Sequence, residues 1–91
     1  MEFIEIILEE LGSIFTKYEL HIIERRTNYL KLQNAYLEVV ISHNQFENSN
    51  VLWLGSNNEQ IDKVEIDNEI LRLFFNSDLK LSQVSTNQIY Q

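Results

Sequence analysis

The chain contains no cysteine and no proline, and only two glycines, Gly12 and Gly55, among its 91 residues. Without cysteine there is no disulfide framework, no thiolate zinc site and no cysteine nucleophile. That absence fits a reducing compartment. Two isolated glycines do not make a glycine-rich phosphate loop. No segment is rich in Gly or Ser and none repeats, so nothing reads as a linker. No apolar run approaches the ~20 residues that a membrane-spanning helix requires. The first ten residues, MEFIEIILEE, are apolar but studded with glutamate. A secretory signal needs a basic start and an unbroken apolar stretch. The expectation is a cytoplasmic protein with no membrane partner.

Basic residues are also scarce. Seven Lys and Arg stand against fourteen Asp and Glu, for a net charge of −7 and a pI of about 4.6. A phosphate backbone is held by a basic surface, so no nucleic-acid partner is expected. A basic protein partner is favoured electrostatically, although acidity also serves solubility alone.

What is present is enough for one core. The hydrophobic fraction is 44% and the aromatic fraction 11%, as in folded globular chains. Residues 1–91 form a single domain by length, and the polar residues 83–91 are expected to fray as a tail.

The pattern of apolar residues changes period along the chain. Over residues 2–16, Phe3, Ile4, Ile7, Leu8, Leu11, Ile14 and Phe15 share one helical arc, with Glu2, Glu5, Glu9, Glu10 and Ser13 opposite. From Tyr18 the period is two. Tyr18, Leu20 and Ile22 alternate with Glu19, His21 and Ile23, and a turn is expected at RRTN. Next, YLKLQ points Leu30 and Leu32 inward. A two-residue Asn34–Ala35 turn then leads to YLEVVIS, with Leu37, Val39 and Ile41 inward. A long loop from His43 to Asn50 precedes a strand at VLWLG. Residues 61–66 read as a short strand or an extended lead-in. Asp67 then reads as the N-cap of a second helix, with Ile66 and Leu71 as its hydrophobic staple. That helix carries Ile70, Leu71, Phe74 and Phe75 inward and ends at Asn76 or Ser77, before a strand or tail at DLKLSQV.

The element order is therefore α-β-β-β-β-α. This predicts an α+β fold: an antiparallel β-meander of three to five strands with an N-terminal and a C-terminal helix packed on one face. The other face of the sheet meets solvent or a partner.

Motifs for chemistry are missing. His21 and His43 lack metal-ligand spacing, and no serine sits in a nucleophile elbow. His43 and Glu47 stand close enough in sequence to suggest an acid–base pair, but such loop pairs are common. Glu9 and Glu10 read as a solvated helix face. No catalytic residue, cofactor or metal is expected.

Two surfaces remain as candidates. One is the open sheet face, with His21, Ile23, Tyr29, Lys31, Tyr36, Glu38, Val40 and Trp53, since Tyr and Trp are favoured at protein interfaces. The other is the His43–Asn50 loop, where Phe46 either anchors an interface or folds back onto the edge of the core. The candidate partner-binding residues are Tyr29, Tyr36, Glu38, Phe46, Glu47 and Trp53.

The stretch YLEVVISHNQFENSNVLWLG, followed by EIDNEILRLFF, resembles small acidic bacterial immunity proteins of polymorphic and contact-dependent toxin systems. The resemblance covers the middle and C-terminal two-thirds of the chain and rests on size, acidity and element order. It implies a non-enzymatic protein that binds one cognate basic toxin domain and blocks it. The alternative is a self-associating structural or regulatory domain, so the chain is expected as a monomer or homodimer.

Overall fold

The computed structural model describes residues 2–56 and 63–81. The first helix, α1, spans Phe3–Lys17. It starts without a side-chain cap: Glu2 is extended, and its carbonyl accepts the first helical hydrogen bond from Ile6 at 3.2 Å. Phe3, Ile4, Ile7, Leu11, Ile14 and Phe15 are buried as their spacing requires, and Leu8 is partly buried. Ile6 is buried too, outside the expected arc. The second helix packs beside α1 as well as the sheet below it, so the apolar stripe is wider than one face.

The end of α1 is built by its backbone. Leu20 N–H donates to Phe15 O at 2.8 Å and Glu19 N–H to Thr16 O at 3.1 Å. This is a Schellman motif, which calls for a left-handed residue after the cap. That residue is Glu19, at φ 55°, rather than glycine. Leu20 and Phe15 are both buried, which completes the apolar contact that accompanies such an end.

Four strands follow: β1 His21–Arg26, β2 Tyr29–Gln33, β3 Leu37–Asn44 and β4 Ser49–Ser56. They pair antiparallel in the order β1-β2-β3-β4. This is the expected meander. Leu30, Leu32, Leu37, Val39 and Ile41 turn inward. Across the sheet, Leu30–Ile41–Leu52 and Leu32–Val39–Leu54 form two lateral rows that carry the helices. Burying each such Leu or Ile stabilises the fold by ~1.5–3 kcal/mol.

The second helix, α2, spans Lys63–Leu81 and corrects several expectations. It begins before Asp67, so Asp67 is not an N-cap, and Ile66 and Leu71 are not a staple. Of the expected lead-in 61–66, residues 63–66 are already helical, and 61–62 lie outside the described residues. Ile66, Ile70, Leu73 and Phe74, at helical spacing, face the core. The helix also runs past Asn76 and Ser77, because no glycine or proline stops it. Residues 78–81 are therefore helix and not strand, while the expected tail, 83–91, lies outside the described residues. Phe75 is not inward: it is 68% exposed.

β1 departs from strict alternation. Its register against β2 slips between Ile22 and Glu24, a bulge at Ile23, and all six of its side chains are exposed. Ile22, opposite Leu32, lies on the core side yet stays exposed because β1 is the margin of the sheet. The β2–β3 connection also differs from a two-residue turn. Asn34 keeps an ordinary negative φ, and its Oδ1 accepts from the N–H groups of Tyr36 and Leu37, both at 2.7 Å. Its amide donates to Tyr18 O at 2.6 Å, which ties this turn to the end of α1.

Candidate functional site

The candidate site is the open face of the sheet, opposite the helices. Strand register places three lateral rows on it. The first is Arg26–Tyr29–Ser42–Val51, the second Glu24–Lys31–Val40–Trp53, the third His21–Gln33–Glu38–Gly55. Alternation puts every second residue of β2, β3 and β4 here, and with β1 the surface is assembled from residues up to 34 positions apart, His21 to Gly55. Trp53 lies beside Val40 and two residues from Val51 on its own strand, with Tyr29 diagonal to Val40. These four make one apolar patch. Trp53 and Val51 are half-exposed, while Tyr29 and Val40 are partly buried.

Trp53 owes its position to Gly55. The indole lies along β4 over the bare backbone of Gly55, where any Cβ would collide with the ring. A side chain at residue 55 would push the indole off the sheet.

The rest of the face is charged and balanced. Lys31 Nζ meets Glu38 Oε1 at 2.8 Å, and Arg26 forms an ion pair with Glu24. The Glu38 carboxylate holds the Lys31 ammonium above its usual pKa, and Glu24 does the same for Arg26. The Arg26 guanidinium also lies over the Tyr29 ring, 4.5 Å from its centroid, a cation–π contact. Two cations and two carboxylates cancel on this face. The acidic stripe Glu2, Glu5 and Glu9 instead lies exposed on α1, on the other side of the sheet. The aromatic patch and this acidic stripe therefore occupy opposite surfaces.

Of the six candidate residues, Tyr29, Glu38 and Trp53 come together on this face. Tyr36 and the pair Phe46–Glu47 stand beyond opposite ends of β3. Tyr36 lines a separate cleft of about 280 Å³ with Tyr18, Asn34 and Ile66 among others. At its mouth Tyr18 donates its hydroxyl to Glu69 at 2.6 Å, and Lys17 Nζ reaches the same carboxylate at 3.0 Å. Val51, Arg26 and Glu24 were not expected in the site. Val51 was legible from Trp53, two positions on; the other two depend on the bulge at Ile23, which resets the parity of β1.

The expected long loop is a short turn. β3 continues through Asn44 and β4 begins at Ser49, leaving residues 45–48 between them. Asn44 Oδ1 accepts from Phe46 N–H at 3.0 Å and Glu47 N–H at 3.2 Å. Asn48 supplies the left-handed residue at φ 50°. Asn50 bends nothing; it is a strand residue opposite His43. Phe46, at the tip, is 81% exposed, so it does not plug the core.

His43 is likewise a strand residue. It is buried on the core side, stacked on Phe3, with Nδ1 at 2.7 Å from Asn50 Oδ1. Glu47 is exposed on the turn, and the partner His43 takes is Asn50. Among the described residues no three His, Asp or Glu side chains converge as a metal site would need. No described helix is long and apolar enough to cross a membrane.

No protein family, curated protein or solved structure matches this chain. A functional reading therefore rests on the face itself.

Proposed function

We propose that the chain is a non-enzymatic protein-binding module that docks its partner on the open face of the sheet. In this reading it acts in the cytoplasm as an immunity or inhibitor protein and neutralises a basic toxin domain by direct binding. The observation that carries it is the apolar patch of Tyr29, Val40, Val51 and Trp53, framed by the Lys31–Glu38 and Arg26–Glu24 pairs. An aromatic centre with a polar, hydrogen-bonding rim is the anatomy of a protein interface. The net charge of −7 adds long-range attraction for a basic partner. Because the acidic stripe lies on the opposite side, that attraction speeds encounter more than it fixes the bound pose.

The test is binding of the purified chain to a basic toxin domain encoded by a neighbouring gene, read by calorimetry, together with rescue of cells that express that domain; a neighbourhood with no such gene would count against the toxin reading. Trp53→Ala is expected to weaken binding by about 30-fold or more, as loss of an interface anchor worth at least ~2 kcal/mol does. Raising salt is expected to slow association with little effect on dissociation. Full affinity and full rescue by Trp53→Ala would remove the open face from the interface.

A further inference from the structure

An aromatic ring and a carboxylate meet twice on the open face. At the first place they hold an arginine of this chain. The Arg26 guanidinium lies 4.5 Å from the Tyr29 ring centroid, and its Nε donates to a Glu24 carboxylate oxygen at 3.0 Å. The second place is Trp53 with Glu38. The indole fills the space that a side chain at Gly55 would take, and Gly55 is the residue opposite Glu38 on β3. Side chains at opposed positions stand ~5 Å apart. The indole is therefore the cross-strand neighbour of the Glu38 side chain.

The ring receives no cation here. Among the described residues the cation–ring contacts are Lys17 with Tyr18 and Arg26 with Tyr29. Lys31 reaches this corner, but its ammonium goes to Glu38 Oε1 at 2.8 Å. The indole is half-exposed.

We propose that Trp53 and Glu38 form the seat for an arginine of the basic partner, its guanidinium stacked on the indole and hydrogen-bonded to the Glu38 carboxylate. This rests on the partner-binding reading and adds the chemistry of the group that docks. Three arguments select arginine. First, indole is the strongest of the aromatic faces for a cation. A guanidinium stacks flat on it and still presents N–H donors at its rim, which a compact ammonium cannot do. Second, a carboxylate accepts through both oxygens. Lys31 bonds Oε1, and Oε2 can accept from a fork of donors. Third, the charges select a cation. The pairs Arg26–Glu24 and Lys31–Glu38 cancel, so the net charge of −7 sets the wider field. An anionic side chain would be repelled by that field and by the negative face of the ring.

Lys31 is then the competitor at the seat. It shares Glu38 and repels the incoming guanidinium, so its removal should tighten docking. A purely structural pair with Glu38 would have no such effect.

The test uses the full chain and two synthetic peptides, hexa-arginine and hexalysine. They carry equal charge, so general attraction to the acidic chain is the same for both. Trp53 is the only tryptophan, and its emission reports the seat directly. Hexa-arginine is expected to change that emission saturably, at a half-saturating concentration about fivefold or more below that of hexalysine. Glu38→Gln is expected to raise the hexa-arginine value about threefold or more. Glu9→Gln removes the same charge from α1, across the sheet, and is expected to change it less than about twofold. Lys31→Gln is expected to lower the value about threefold. That should exceed the change from Arg25→Gln, which removes equal charge opposite the inward Leu30. Equal values for the two peptides on the unmodified chain would overturn the proposal, whatever the variants do. So would a Glu38→Gln effect no larger than that of Glu9→Gln, or a Lys31→Gln effect no larger than that of Arg25→Gln. The partner-binding reading fails separately, on Trp53→Ala against the toxin domain. A toxin domain released by Trp53→Ala yet indifferent to Glu38→Gln would keep the open face and remove the arginine.

Discussion

His43 lies flat against Phe3, ring centroids 5.7 Å apart and planes 29° from parallel, and the contact joins the first turn of α1 to the far end of β3. The imidazole is 6% exposed and satisfies one nitrogen through Asn50. It is a core side chain that happens to be polar. His43→Ala removes the stack, opens a cavity and leaves the Asn50 amide without this partner. The expected cost is about 2–3 kcal/mol, read as a lower urea midpoint with an unchanged slope. A cost below about 0.5 kcal/mol would show that the ring is not packed there.

The misplacement of His43 shows where sequence legibility ended. β2 and β3 alternate over their full lengths, and α1 has an uninterrupted helical arc, so the meander and the first helix were readable. His43 continues the alternation of Leu37, Val39 and Ile41, but a histidine followed by three asparagines within seven residues reads as loop. The start of α2 was hidden similarly, because Asp67 resembles a cap. The helical spacing from Ile66 to Ile70 was the better guide, since burial of an apolar face outweighs one capping hydrogen bond. The open face was legible in Tyr29, Glu38 and Trp53, whose strands keep parity. Its β1 side was not, because a single bulged residue inverts every position after it.

Glu69 couples the helices through a pH-dependent cluster. The Tyr18 hydroxyl and the Lys17 ammonium both hydrogen-bond to its carboxylate and hold its pKa below the usual value. Glu69 in turn raises the pKa of both partners. A lowered carboxylate pKa gives stability that is complete above the unfolded value, about 4.3, and is lost as pH falls through the folded one. The raised Tyr18 and Lys17 values give stability that is complete below about pH 10 and is lost as pH rises through their folded values. The difference in melting temperature between the unmodified chain and Glu69→Gln is expected to be flat from about pH 6 to pH 9 and to shrink at both extremes. A difference that is the same at pH 3 as at pH 7 would show that the cluster does not hold the helices.

Glu19 occupies the left-handed position of the Schellman end at φ 55°. A side chain there costs about 1 kcal/mol relative to glycine. Its side chain is exposed, so little else is lost on removal. Glu19→Gly is expected to raise stability by about 0.5–1 kcal/mol, or a few degrees in melting temperature for a domain of this size. Glu19→Val should do the reverse, because a β-branched residue tolerates this conformation poorly.

Gly55→Ala tests the seating of the only tryptophan. The new methyl group takes the space of the indole, which must swing into solvent. The expected result is a red-shifted Trp53 emission with stability changed by less than about 1 kcal/mol, since the ring is already half-exposed. Under the proposed function, partner affinity should fall with it. An unshifted emission spectrum would mean that the indole does not rest on Gly55.

Phe46 and Asn44 sit two residues apart in one turn and should separate cleanly by experiment. Asn44 holds the turn through the amides of Phe46 and Glu47, so Asn44→Ala should cost about 1 kcal/mol. Phe46 is 81% exposed and should tolerate alanine within about 0.5 kcal/mol. A large apolar side chain at the tip of a turn adds little to the fold; under the proposed function it is free to contact the partner. Phe46→Ala is therefore expected to leave the melt unchanged and to weaken capture of the partner about tenfold. Loss of stability on Phe46→Ala would return the residue to the architecture. Unchanged capture would confine the interface to the flat of the sheet, where Trp53 and Tyr29 stand.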